Sequence, residues 1–167
     1  MKVLLLSDTH GYIDDAILKH CVWSDEVWHA GDFGNRTVAD KITEIKPLRG
    51  VWGNIDGGEI RNEFPLDNRF TVEKLDVLMT HIGGYPGKYD ARVKKIFSTQ
   101  PPKLFICGHS HILRVMPDKM YNFLFMNPGA AGISGIHKIR TMLRFEINNG
   151  IILRPEVIEV GLRATIR

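Results

Sequence analysis

Seven histidines occur in a chain of 167 residues. Four of them, His10, His81, His109 and His111, sit in short polar motifs beside Asp, Gly or one another. The motifs are Asp8-Thr9-His10, Gly31-Asp32, Gly53-Asn54-Ile55-Asp56, His81 and Gly108-His109-Ser110-His111. Carboxylate, imidazole and amide groups are hard-to-borderline ligands that suit Mn²⁺, Fe, Zn²⁺ or Ni²⁺. One carboxylate can bridge two ions about 3.5–4 Å apart, the spacing used for two-metal hydrolysis. Taken singly, each motif has a plainer reading. Asp8 could cap a following helix beside a solvated His10. Asp32 and Asn54 could bond their own turns, and His109 and His111 could lie on an extended strand. Gly108 favours a loop for that last pair, and the five motifs together favour metal binding.

The elements that would carry these motifs follow from the apolar pattern. Val3 to Leu6 is a continuous apolar run, as in a central strand buried on both faces. Asp14 and Asp15 can cap a helix running towards Val22, and Glu26 to Ala30 reads as a strand ending at Gly31-Asp32. Val38, Ile42 and Ile45 mark a helix that stops before Pro47, and Leu48 to Trp52 is a third strand. This β-α-β-α-β order predicts a layered α/β sheet, and ligands of such sheets gather at the strand C-termini. After a connector around Pro65, strands are predicted at 70–72 and 77–80, a helix over Tyr89, Val93, Ile96 and Phe97, and a strand at 103–107. Short strands follow at 113–116, 123–126, 141–147 and 151–160, with Asn148-Asn149-Gly150 as a hairpin turn. Met142, Arg144 and Glu146 alternate with Leu143, Phe145 and Ile147, which predicts a half-buried strand. Residues 1–167 are expected to form one domain whose last residues, Arg163 to Arg167, fray.

In order and spacing the five motifs resemble the calcineurin-like metallophosphoesterase superfamily. With the short chain and Asn127-Pro128-Gly129, the sequence is similar to its small bacterial and archaeal phosphodiesterase branch. The resemblance implies a four-layer α/β sandwich, two mixed β-sheets flanked by helices. It also implies two divalent metal ions, with Mn²⁺ expected and Ni²⁺, Zn²⁺ or Fe as alternatives. Asp8, His10 and His111 would bind the first, Asn54, His81 and His109 the second, and Asp32 would bridge them. The implied reaction is hydrolysis of a phosphate ester, most naturally a diester, by a metal-bridging hydroxide, with Asp32, Asn54 and His109 in catalytic positions and no protein nucleophile. Asn127 and Gly129 would contact substrate or shape the cavity floor.

Two departures stand out. Many members carry a His where this chain has Ile55, and an apolar side chain cannot protonate a leaving oxygen, so activated aryl esters should react best. Thr80 precedes His81 where Gly is common. Asp56 is expected to orient Asn54 or its loop. Among the remaining groups, His29 reads as a packed core histidine with a supporting position as the alternative, and His20 as surface. His137, Lys138 and Arg140 read as a solvated basic loop or a phosphate contact. Trp23, Trp28 and Trp52 are expected to pack against the sheets, and Tyr85, Lys88 and Tyr89 to rim the pocket.

Lys+Arg 22 against Asp+Glu 19 leaves a net charge of +3. That surplus is too small to drive non-specific nucleic-acid binding, which argues against a nuclease. The four-residue apolar run at the N-terminus lacks the core of a signal peptide, and no stretch approaches a membrane span. With two separated cysteines read as buried free thiols, a cytoplasmic location is expected. The partner is a phosphate-ester substrate rather than a membrane, and a homo-oligomer is compatible with the sequence. A phosphomonoesterase or nuclease on the same site, and a retromer-like interaction scaffold, are the alternative functions.

Overall fold

The computed structural model describes residues 1–136 and 138–163. Its first half runs β1 (Lys2–Leu6), α1 (Asp15–Trp23), β2 (Glu26–His29), α2 (Arg36–Thr43), β3 (Leu48–Gly50), α3 (Gly58–Glu63), β4 (Asp67–Val72) and β5 (Leu75–Thr80). The second half adds β6 (Gly84–Tyr85), β7 (Lys88–Tyr89), α4 (Ala91–Thr99), β8 (Leu104–Ile106), β9 (Leu113–Asp118), β10 (Phe123–Pro128), β11 (Ile139–Asn148) and β12 (Ile151–Leu162). One five-stranded sheet has the order β12-β11-β1-β2-β3, and the other β4-β5-β8-β10-β9. In the first, β1, β2 and β3 are parallel; in the second, β5, β8 and β10 are parallel.

Three apolar layers separate the four structural layers. Val3, Leu5 and Trp28 of the first sheet meet Val77, Met79 and Ile106 of the second in the central core. Alternate residues of the same strands, Leu4, Leu6 and Val27, pack outwards on Ile17 and Cys21 of α1 and Val38 and Ile42 of α2. Leu78, Phe105 and Phe125 cover the other outer face with Val93 and Phe97 of α4. The apolar run at Val3 to Leu6 thus serves two cores at once, because successive side chains point to opposite faces. Cys21 and Cys107 are free, buried and in different outer layers.

The sequence reading places most elements to within a few residues and misses α3 and the β6-β7 hairpin. Only Ile60 of α3 is buried, too little for a periodic signal. β3 ends at Gly50 rather than Trp52. Met142 is buried together with Leu143, so β11 is covered on both faces there and not half-buried. The turn at Asn149-Gly150 has φ of 50° and 85° and joins the paired residues Asn148 and Ile151, as a two-residue primed turn requires. Arg163 N–H bonds Lys138 O at 2.9 Å, and the fraying expected beyond it falls outside the described residues.

Tyr89 does not rim a pocket. It is buried among Phe97, Phe105 and Phe123, and its hydroxyl donates to Asp118 Oδ2 at 2.7 Å. Asp118 Oδ1 accepts from the Met120 and Tyr121 N–H groups, so the pair ties the β9-β10 turn to the aromatic layer. Tyr89→Phe is expected to lower unfolding free energy by about 1–3 kcal/mol, because it strips a donor from a buried carboxylate. A urea midpoint unchanged from wild type would remove that role.

Candidate metal centre

All five motifs fall just past the C-terminal ends of parallel strands: β1, β2 and β3 in one sheet, β5 and β8 in the other. Asp8 N–H bonds Gly31 O, His10 N–H bonds Asp32 O, and Gly108 N–H bonds His81 O, each at 3.0 Å. The loops are therefore stitched to one another within each sheet. Asp8, His10, Asp32, His109 and His111 all have φ between 50° and 67°. A left-handed conformation outside Gly costs about 1–2 kcal/mol per residue, and such strain concentrates where surrounding structure imposes it.

Each carboxylate is held by one oxygen and leaves the other facing imidazoles. Asp8 Oδ2 accepts from Ser7 Oγ at 2.5 Å and His109 N–H at 3.1 Å, while Asp32 Oδ1 accepts from Ile55 N–H at 3.1 Å. On the other side, His111 Nε2 is 3.0 Å and His10 Nε2 3.8 Å from Asp8 Oδ1. Asp32 Oδ2 stands between His81 Nε2 at 3.3 Å and His10 Nε2 at 3.9 Å. Asn54 Oδ1 lies 3.2 Å from His81 Nε2. The His109 ring faces that of His81 edge-on, with centroids 5.3 Å apart.

Two overlapping sets of donors result, Asp8-His10-His111 and Asp8-Asp32-His81, with the ligating atoms of each set within 4.8 Å of one another. Asp8 belongs to both, a sharing that spacing along the chain does not reveal.

The donor chemistry fits divalent cations. Asp8 Oδ1 is buried and makes no hydrogen bond among the described residues, a costly state for a carboxylate unless a cation compensates it. His81 Nδ1 lies 2.7 Å from Ala30 O. A carbonyl only accepts, so Nδ1 carries a proton and Nε2 is the nitrogen aimed at the cluster, the arrangement that orients metal-binding imidazoles. Burial lowers the His81 pKa, but the hydrogen bond that its ring donates to Asp32 and the charges of Asp8 and Asp32 outweigh it and hold the ring above its usual value, so a cation binding at Nε2 would displace a proton there. Burial raises Asp32, yet His81, the Ile55 N–H and His10 bring its carboxyl below the ordinary range. Positive charge is thus favoured at the place where the two carboxylates converge.

Supporting residues surround these groups. Asp56 accepts from Gly34 N–H at 2.8 Å and Gly53 N–H at 2.7 Å, and so holds the Asn54 loop against the Asp32 loop. Arg61, not foreseen from the sequence, donates to Asp56 O at 2.7 Å and covers the Trp52 ring at 4.3 Å. Trp52 and Trp23 are half-buried under cations, whereas Trp28 is fully enclosed. His29 is fully buried, which lowers its pKa to about 3 and keeps it neutral. It stacks on Phe33, accepts from Gly31 N–H and bonds Thr9 Oγ1 at 3.0 Å, linking the first two motif loops from beneath. Burial pushes the Cys107 thiol up to about 12, so it is no nucleophile near neutral pH. His20 is half-buried on α1.

Asn127 and Gly129 are tied to the ligand loop. Asn127 Nδ2 donates to Gly108 O at 2.8 Å and Ser110 Oγ at 3.2 Å, and its Oδ1 accepts from Gly129 N–H at 3.0 Å. Their donors are spent on shaping the His109–His111 loop. Arg140 is neither solvated nor open to a phosphate. It is 5% exposed, lies over Tyr12, and donates to Ala131 O at 2.7 Å and Asp14 Oδ2 at 2.9 Å. His137 lies outside the described residues.

The Arg140 pair sets a pH response. Burial raises the Asp14 pKa, but Arg140, the Ile17 N–H and Tyr12 outweigh it and leave the carboxyl below its ordinary value. A depressed folded pKa stabilises above the unfolded value, about 3.9, and the gain is lost as pH falls through the folded one. Asp14→Asn is therefore expected to reduce the loss of stability below pH 4. Identical acid-unfolding slopes for the two proteins would show that Asp14 carries none of it.

Residues 1–150 match the calcineurin-like phosphoesterase superfamily domain. This chain belongs to the calcineurin-like phosphoesterase superfamily. Among curated proteins no significant match is found. Similar solved structures include wild-type Vps29 from Entamoeba histolytica complexed with Zn²⁺, at 18% identity and TM-score 0.71, covering 96% of this chain and 100% of that one. A Thermotoga maritima protein is 24% identical, with TM-score 0.72 and coverage of 95% and 98%. An archaeal phosphodiesterase is 19% identical, with TM-score 0.66 and coverage of 95% and 100%. At these identities the likeness establishes the shared fold. β12, beyond the family match, pairs along β11 at the edge of the first sheet.

Proposed function

We propose that this chain, as a single domain over 1–167, is a metal-dependent phosphodiesterase. The observation that carries the reading is the pair of carboxylates, each with one oxygen pinned and the other turned into a ring of imidazoles, with Asp8 Oδ1 making no hydrogen bond among the described residues. Asp8, His10 and His111 would hold one divalent cation and Asn54, His81 and His109 a second, with Asp32 between them. Mn²⁺ is the metal expected, with Ni²⁺, Zn²⁺ and Fe as alternatives. When bound, such ions supply Lewis acidity towards phosphoryl oxygens and make water acidic enough to attack near neutral pH. In the overall reaction water adds to phosphorus, one P–O bond breaks, and one ester arm departs.

The chain's own residues set the limits of that reaction. Asp8 and Asp32 carry only two negative charges into the cluster, which leaves the loaded site attractive to a phosphodiester anion. The Asp56 and Asn127 bonds fix the loops from which Asn54, His109 and His111 project. Ile55, 47% exposed beside Asn54, has no proton to give, so esters with high-pKa leaving groups should turn over slowly. Cavities on two sides of the cluster leave room for a group on each ester arm.

Purified protein with Mn²⁺ is expected to hydrolyse bis(p-nitrophenyl) phosphate faster than p-nitrophenyl phosphate, and His109→Ala to abolish turnover. A faster monoester would make the chain a phosphomonoesterase. An interaction scaffold is the second reading, favoured by the exposed Ile55, Ile82 and Ile112 directly after candidate ligands. Fewer than one metal ion per chain by elemental analysis, with no turnover, would support it.

A further inference from the structure

The two cavities beside the cluster differ in charge. One, of about 240 Å³, lies between Trp52, Leu66, Ile82, Asp90 and Arg92. Its Arg92 is already engaged by Asp67, Thr80 Oγ1 and Ile82 O, and its Asp90 accepts from the Arg92 N–H, so Trp52, Leu66 and Ile82 make most of the open wall. The other, of about 200 Å³, is lined by Tyr85, Ser110, Ile112, Arg114 and Asn127, with no acidic residue among its lining. The segment from His81 to Gly84 walls both, His81 and Ile82 on the first side and Gly84 on the second. Ser110, between His109 and His111, joins the second cavity to the candidate metal centre.

Arg114 is the charged group of that second cavity. In the β9-β10 register it pairs with Asn127, and directly paired residues of antiparallel strands share a face. The Asn127 amide on that face reaches Gly108 O and Ser110 Oγ, so the face looks onto the ligand loop. The Arg114 guanidinium lies over the Tyr85 ring, 5.0 Å from its centroid, and has no carboxylate or carbonyl partner among the described residues. That contact leaves its N–H fork open, which suits a planar anion taken bidentately.

We infer that this cavity holds the non-leaving arm of the diester and that Arg114 selects an arm ending in a carboxylate or phosphate. The inference rests on the phosphodiesterase reading and names its substrate class. The other arm, with the activated leaving group, goes to the apolar cavity bounded by Trp52, Leu66 and Ile82. The substrate is then a phosphodiester that carries a second anionic group on one side only.

Two p-nitrophenyl diesters test this, 4-carboxyphenyl p-nitrophenyl phosphate and phenyl p-nitrophenyl phosphate, which release the same leaving group and differ by one carboxylate. With Mn²⁺, kcat/KM is expected to be about tenfold higher for the carboxylated ester, the size of one charge-assisted contact. In Arg114→Gln the ratio falls to about one, and in Arg114→Lys, which keeps charge but not the fork, it lies between. A 4-phosphophenyl analogue ranks phosphate against carboxylate. Direct titration with phenylphosphonate and 4-carboxyphenylphosphonate gives the same comparison without turnover. Equal affinities, or a preference that survives in Arg114→Gln, overturn the assignment. If neither ester is hydrolysed, the phosphodiesterase reading fails and the titration alone decides whether the cavity selects anions.

Discussion

Asp32→Asn is expected to lower the rate of bis(p-nitrophenyl) phosphate hydrolysis by at least about 10³-fold, with the fold intact. The substituted side chain can still accept from Ile55 N–H through one oxygen, as Asp32 does at 3.1 Å. What is lost is the negative charge at the Oδ2 position, between His81 Nε2 at 3.3 Å and His10 Nε2 at 3.9 Å. An amide there gives a cation a neutral oxygen or a repelling NH₂. Loss of one preorganised electrostatic partner in a reacting site costs about 10²–10³ in rate, and loss of a cation compounds it. Steady-state rates with saturating Mn²⁺, metal content and far-UV circular dichroism check this together. A variant within tenfold of wild type would take Asp32 out of the centre.

Gly53→Ala is the second large effect, and it acts through packing rather than charge. A Cβ on Gly53 would stand 2.0 Å from Asp32 Oδ1 and 2.3 Å from Asp32 N. The backbone nitrogen cannot swing aside, so the two motif loops must part. Overpacking of this kind costs about 1–3 kcal/mol, and the displaced carboxylate should reduce turnover nearly as far as Asp32→Asn. Gly58→Ala is the control, since a Cβ there meets nothing within 4 Å and the residue begins α3. It should be neutral or stabilise by up to about 1 kcal/mol. Urea unfolding of both variants with activity alongside separates the cases; equal behaviour would mean that the close approach at Gly53 has no consequence.

That contact also shows why glycine recurs beside the ligands. In the sequence Gly108 reads as a loop former. In the structure Gly108 has no unusual φ, yet a Cβ on it would meet Ser7 Oγ at 2.1 Å and Asp8 Oδ2 at 2.8 Å. The glycine is there so that loops from different strands can touch. A contact between residues 101 positions apart, such as His109 N–H to Asp8 Oδ2, leaves no mark on local pattern. For the same reason Arg140 reads as an exposed loop cation, although its partner Asp14 is 126 residues away, and Tyr89 reads as a pocket rim although Asp118 receives its hydroxyl.

By itself the sequence determined the layered α/β architecture, the strand ends that bear the polar motifs, and the residue types able to hold divalent cations. Those properties are local: apolar periodicity sets which faces are buried, and side-chain chemistry travels with the residue wherever it is placed. The tertiary structure decided which carboxylate oxygen faces the imidazoles, that Asp8 is shared by both donor sets, and that Asn127 braces the His109–His111 loop. It also decided that Arg114 lies over Tyr85 beside the site with its N–H fork unengaged among the described residues. These depend on hydrogen bonds and steric limits between segments from separate strands, and only the packed sheets bring such segments within reach of one another.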